Sequence, residues 1–194
     1  MSVIHTDTLD SIAHGGTNAT TKGGAVSNLF NESVTIANCS NTSSEVTVLS
    51  ATVPANTWGD GEQFMLFGAF LHKQNSGVSR NFTMKIKVDG TSYTAVSASA
   101  VANSANEGKS TRNFIFTRVG TEVWGAFATS GVGFMGGTII PASTGIGTNQ
   151  FTGGGNIWTG LSFAATIAIE ITIQWSAANA NVYFNPQVGR AVKL

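Results

Sequence analysis

The chain has 194 residues with ten basic and ten acidic side chains, a pI near 6.8, and only 10% charged residues against a usual ~25%. With the charges cancelled and no basic run, a phosphate-backbone footprint is missing and nucleic acid is excluded as an expected partner. The single cysteine, Cys39, excludes an internal disulfide framework, and a surface this poor in charge is expected where partner proteins cover it.

Met1 to Leu9 include Asp7 and lack both a basic n-region and an apolar h-region, so the chain is expected to fold where it is made. Residues 1–44 are polar and rich in turn formers, with Gly15 and Gly16 in one cluster and Gly23 and Gly24 in another. Ala25, Val26, Leu29 and Phe30 give the stripe of one short helix, ended by Asn31. This stretch has too few large apolar residues for a core of its own. It reads as an extended arm that must lie on something else, with Ile4, Leu9, Ile12, Val26, Leu29 and Phe30 as anchors. Gly15 and Gly16 would form its bend, since both are free to take positive φ.

From Glu45 the hydrophobic period is two, which marks strands, and residues 45–194 read as one β-sandwich domain. Val46 and Val48 alternate with Thr47 up to Pro54, and Phe64 to Leu71 is nearly continuous apolar, as in a strand buried on both faces. Phe82, Met84, Ile86 and Val88 then point one way and Thr83, Lys85 and Lys87 the other. Asp89-Gly90 supplies a type I′ hairpin turn, from which Thr91 to Ser97 returns. Phe114 and Phe116 mark the next strand, and Gly120-Thr121 separates it from Val123 to Phe127. The strongest alternation is Ile167, Ile169, Ile171, Ile173 and Trp175, with Glu170, Thr172 and Gln174 opposite. A last strand, Val182 to Val188, holds Pro186 and so belongs near a sheet edge. About eight antiparallel strands in two sheets predict an all-β, jelly-roll sandwich. The segment Gly131 to Gly160 reads as a long apolar loop, which makes Phe134, Met135, Phe151 and Trp158 candidate subunit contacts.

Candidate chemistry is thin. Gly131 to Gly136 matches G-x-G-x-x-G, but a β-like stretch ending at Pro141 follows instead of the helix that the pyrophosphate needs. His5, His14 and His72 lack the spacing of convergent metal ligands. Asp60 and Glu62 flank Gly61 as turn residues, where a glycosidase pair would need opposed positions and split pKa values. Sequons such as Asn81-Phe82-Thr83 arise by accident in a chain full of Asn, Ser and Thr. Trp58, Trp124 and Trp158 suit a core or interface better than a sugar platform. No catalytic residue, cofactor or metal is expected, and no membrane span, because the apolar run Ile167 to Trp175 is too short and carries Glu170.

The segment from His14-Gly15-Gly16-Thr17-Asn18-Ala19-Thr20-Thr21 to Leu29 resembles the G-G-T-G-A-T-T…A…N-L segment of tailed-bacteriophage tail fibres, with Asn18 replacing a glycine. Val53 to Glu62, the Asn81 to Val88 strand and Gln174-Trp175-Ser176 resemble a phage virion β-sandwich of the capsid decoration (cement) or fibre type, usually trimeric. The resemblance implies a virion structural protein made in the host cytoplasm, with itself and a major capsid or other virion protein as partners. A compact domain with an arm and no shaft favours a trimeric decoration protein attached by its arm. The alternative is a tail or head fibre or receptor-binding protein, and a carbohydrate-binding module is more distant. Copy number per virion separates the first two, and glycan binding separates the third.

Overall fold

The structure is a computed structural model that describes residues 34–101, 103, 105, 107–132, 134–135, 138–139 and 152–193. Its strands, in chain order, are β1 (Thr35–Ile36), β2 (Cys39–Ser40), β3 (Val46–Val53), β4 (Gln63–Gln74), β5 (Arg80–Val88), β6 (Thr91–Val101), β7 (Gly108–Val119), β8 (Glu122–Val132), β9 (Phe134–Met135), β10 (Thr138–Ile139), β11 (Thr152–Trp158), β12 (Ile167–Trp175) and β13 (Val182–Lys193). Two antiparallel sheets form a sandwich. One has six strands in the order β11-β8-β7-β4-β13-β2, the other five in the order β1-β3-β12-β5-β6, and β9-β10 is a separate ribbon.

All eight expected strands are present, as β3 to β8, β12 and β13. Two hairpins, β5–β6 and β7–β8, each stay within one sheet, while β3→β4→β5 and β11→β12→β13 cross between the sheets. The turns are those the sequence calls for. Asp89 and Gly90 both take positive φ (48° and 80°) between Val88 and Thr91, and Gly120 takes 60° between Val119 and Glu122. Pro186 sits at a register shift in β13, beyond the two residues that β2 covers, so it costs the ladder little.

Two expectations change. Residues 34–44, assigned to the arm, join the sandwich: Thr35–Ile36 pairs with Ser50 and Leu49, and Cys39–Ser40 with Phe184 and Tyr183. Cys39 is fully buried, its thiol faces the Ile173 carbonyl at 3.8 Å, and burial pushes its pKa up to about 11. The loop expected over Gly131 to Gly160 contains the ninth long strand, β11, paired along β8 from Thr152↔Thr129 to Trp158↔Val123. Its Gly153-Gly154-Gly155 run carries no hydrophobic alternation, and Gly155 lies so close to the Gly125 carbonyl that a Cβ would meet it at 2.7 Å. The helix over Ala25 to Phe30 lies outside the described residues.

The core between the sheets follows the alternation. Ile167, Ile169, Ile171, Ile173 and Trp175 are all buried, facing Phe64, Leu66, Phe70, Phe114, Phe116 and Phe184 from the other sheet. The same alternation turns His72 and Arg112 inward. Both are buried, His72 stacked on Phe184 at 5.7 Å and Arg112 with its guanidinium 5.9 Å from the same ring. Burial, then the charge of Arg112, lowers the His72 pKa to about 3, and burial lowers Arg112 to about 9. On the outer face of the five-stranded sheet, Glu45 meets Lys85 at 2.5 Å and Lys87 at 2.6 Å. Burial alone would raise the Glu45 pKa, but hydrogen bonds from both lysines and the charge of Lys87 override it and hold it at about 2.

These shifts have one sign. A neutral buried His72 and an ionised Glu45 both take up fewer protons folded than unfolded, so both contributions are present at neutral pH and lost in acid. Stability is expected to decline as pH falls from about 6.5 towards 3 through His72, and from about 4.5 towards 2 through Glu45. Urea unfolding across this range checks it. Glu45→Gln should flatten only the lower part, by about 1 kcal/mol after solvent screening; an unchanged slope there would mean that the lysines do not hold the carboxylate.

Candidate functional site

Two surface features stand out: a cleft at one end of the sandwich, and the outer face of the six-stranded sheet that runs away from it. The cleft is built by the Pro54–Glu62 loop, which turns back by placing Asn56 and Gly61 at positive φ (60° and 79°). Trp58 drops from this loop into the core, donates its indole N–H to the Glu62 carbonyl at 3.0 Å and stands edge-on to Phe163 at 5.6 Å. Arg118, from the end of β7, lies over the Phe163 ring at 4.0 Å and donates to the Trp58 and Gly120 carbonyls. Glu62 accepts from the Gly59 amide and from Lys193 at 2.7 Å, and Lys193 also donates to the Thr57 carbonyl at 2.7 Å.

The cleft encloses about 600 Å³, and its charged groups are committed to one another and to backbone. Burial would raise the Glu62 carboxyl, but hydrogen bonds from Lys193 and Gly59 and the charges of Lys193 and Arg118 outweigh it and hold the group below the usual carboxylate range. A glycosidase acid needs the opposite shift. Asp60 accepts from the Gly120 amide at 2.7 Å, so both carboxylates brace the loop. The three elements meeting here are thereby fixed, and the cleft is a rigid end to the sheet beside it.

On that sheet, the residues of β4 that face away from the core are Met65, Phe67, Ala69 and Leu71, all half-buried. The continuous run Phe64 to Leu71 was expected to be buried on both faces; only the inward set Phe64, Leu66, Gly68 and Phe70 is buried, because no second layer covers the other side among the described residues. Pairing places Met65 beside Ile115 on β7 and Val192 on β13, and Ile115 beside Ala126 on β8. One row nearer the cleft, Thr117, Trp124 and Ile157 stand side by side, with Trp124 48% and Ile157 50% exposed. Val188 is 41% exposed at the other margin. The Trp124 indole N–H is already satisfied by Glu122 at 2.8 Å, so its ring can be covered without orphaning a donor.

Of the residues expected at sites, Trp158 is corrected. It is 2% exposed, packs on Phe116 at 6.0 Å and Tyr93 at 6.3 Å, and donates to the Thr91 carbonyl at 2.9 Å. It is inward because the β11 alternation that exposes Ile157 turns its neighbour in, over Gly125, where a Cβ would meet the indole at 2.5 Å. Phe134 and Met135 form β9, with nothing described of their side chains, and Phe151 lies outside the described residues. So do the arm residues Ile4, Leu9, Ile12, Gly15, Gly16, Val26, Leu29 and Phe30. The outer-face residues Met65, Phe67 and Ile115 were not singled out in the sequence. Their signal was there: a strand apolar on both sides must have something to cover each side.

No protein-family model matches the chain, and no curated protein sequence does. Among solved structures, similarity is found to the CBM2 module of the evolved Dit of Lactobacillus casei BL23 phage J-1, at 13% identity over 85% of this chain and 80% of that one, with a TM-score of 0.36. Peanut lectin with a 9mer peptide is similar at 9% identity over 92% and 95%, TM-score 0.39. The alginate lyase from Klebsiella pneumoniae follows at 6% identity over 69% and 58%, TM-score 0.27. At these scores none of them contributes an activity or a ligand, and the β-sandwich rests on the strand pairing described above.

Proposed function

We propose that this chain is a non-enzymatic structural protein of a phage virion, a trimeric capsid decoration protein that binds and stabilises the head and is attached by its N-terminal residues. The observation that carries the structural role is the outer face of the six-stranded sheet. Its rows from Met65 and Ile115 to Trp124 and Ile157 are largely apolar, and no second layer covers them among the described residues. Soluble domains rarely show such a face unless a partner covers it. The two candidate carboxylates brace a loop, and the three other indoles, those of Trp58, Trp158 and Trp175, are buried. The virion assignment rests on the resemblance of the Gly15–Leu29 segment and of the Val53–Glu62 loop to phage fibre and decoration proteins.

The test uses phage particles lacking the protein. Full-length chain is expected to co-sediment with them and to raise the temperature at which their genome is released. A chain lacking residues 1–25 should stay folded, since every described strand lies beyond that point, and should fail to co-sediment. Undiminished binding would place the contact on the sandwich instead. A bound copy number that matches the capsid lattice supports decoration, whereas a handful per particle makes the protein a fibre.

A further inference from the structure

We propose that a second copy of this chain seats on the outer face of the six-stranded sheet, so that the row from Trp124 through Ile115 and Met65 is the interface between subunits. The proposal rests on the self-association proposed above and adds where it happens. Three observations support it. The first is area. Five strands spaced about 4.8 Å apart and roughly 30 Å long present a face of about 700 Å². Standard protein–protein interfaces bury about 600–1,000 Å² per partner, a range that the whole face of this sheet reaches and a margin of it does not.

The second is where charge stands. Strand parity turns Lys73 and Lys109 outward at one end of the face and Glu122 outward at the other, with Arg190 on β13 towards its margin. The rows of Met65, Ile115, Ala126 and Val192 and of Thr117, Trp124 and Ile157 carry no charged side chain, and the next row sets Phe67 between Asn113 and Arg190. An apolar, aromatic centre with charges at the rim is the composition of a protein-binding patch, where a nucleic-acid surface would be basic throughout. The other outer sheet face differs: there Lys85, Lys87 and Glu45 form ion pairs in the middle of the sheet, which suits water.

The third is geometry. Three faces about 24 Å wide, from five strands about 4.8 Å apart, enclose a triangular core whose axis lies about 7 Å from each sheet, with each face shared between two neighbouring copies. That is within reach of Ile115 on the middle strand and Met65 and Phe67 beside it, so the threefold assembly can be filled by side chains already on this face.

The test is sedimentation equilibrium of the full chain at micromolar concentration, without virions. Wild type is expected at three times the 20.1 kDa chain mass. Trp124→Lys should weaken association at least tenfold while keeping the far-ultraviolet circular dichroism of wild type, because Trp124 is half exposed already. Ile157→Lys is the second variant and should do the same. Thr83→Lys, on the outer face of the five-stranded sheet, should leave the mass unchanged. A wild type that runs as a single chain overturns self-association and this interface with it. An oligomer that survives both face variants, or that Thr83→Lys disrupts equally, overturns the interface alone. A two-chain mass lost in both face variants supports the interface and overturns the threefold.

Discussion

Ile171→Asp is expected to leave no folded protein. Ile171 is fully buried at the centre of β12, paired with Leu49 on one side and Ile86 on the other, and β12 is the middle strand of its sheet. Both of its strand neighbours are aliphatic, so a carboxylate there would be stripped of water with no partner in either pairing. That costs several kcal/mol beyond the lost packing, against a whole-domain stability of about 5–15 kcal/mol. The expected result is insoluble or unfolded chain, read by circular dichroism and by resistance to protease. Glu170→Ala, one residue away on the outer face, removes a carboxylate whose described hydrogen bond is from Thr47 at 3.4 Å, and it should cost under about 1 kcal/mol. A soluble Ile171→Asp protein with the wild-type melting curve would mean that β12 buries its other face.

Phe184→Ala should cost about 3–5 kcal/mol, the usual range for deleting a buried aromatic ring. Phe184 is fully buried on β13 and touches three rings, Phe70 at 4.8 Å, Phe82 at 5.5 Å and His72 at 5.7 Å. Phe82 belongs to the other sheet and packs in turn on Trp175 at 4.9 Å, so the ring is a rivet between the two layers. It also presents its face to the Arg112 guanidinium, and removing it takes away that contact and leaves a cavity beside a buried charge. Phe184→Leu, which refills most of the space, should recover roughly half of the loss. The measurement is urea unfolding followed by tryptophan fluorescence. A loss below about 1 kcal/mol would show that Phe70 and Phe82 close over the gap.

Placed at the two ends of the sandwich, the aromatic groups divide the work. Phe82, Phe184, Phe70 and Trp175 join the sheets at one end, and Trp58, Phe64 and Phe163 hold the cleft loop at the other. Between them they hold together the sandwich that carries the outer face of the six-stranded sheet, which is why the stability of the core and the proposed subunit interface are linked.

The sequence by itself determined the local events. Side-chain alternation is a property of one strand, so Ile167 to Trp175 announced both its conformation and its buried face without reference to any other segment. Asp89-Gly90 and Gly120 likewise set their turns through φ angles that few other residues accept. Only the tertiary structure decided which strands meet, because pairing joins residues far apart in the chain: Ile171 finds Leu49 and Ile86, and Phe184 finds Cys39 and His72. The same distance effect drew residues 34–44 into both sheets, although alone they hold too little apolar surface to fold. It made a strand of Gly153-Gly154-Gly155, where backbone pairing to β8 supplies what absent side chains cannot. It also fixed the fate of the indoles. Trp58, Trp124 and Trp158 are alike in sequence, but only Trp124 has an outward position on a sheet with no layer above it among the described residues, and solvent exposure depends on what lies above a residue.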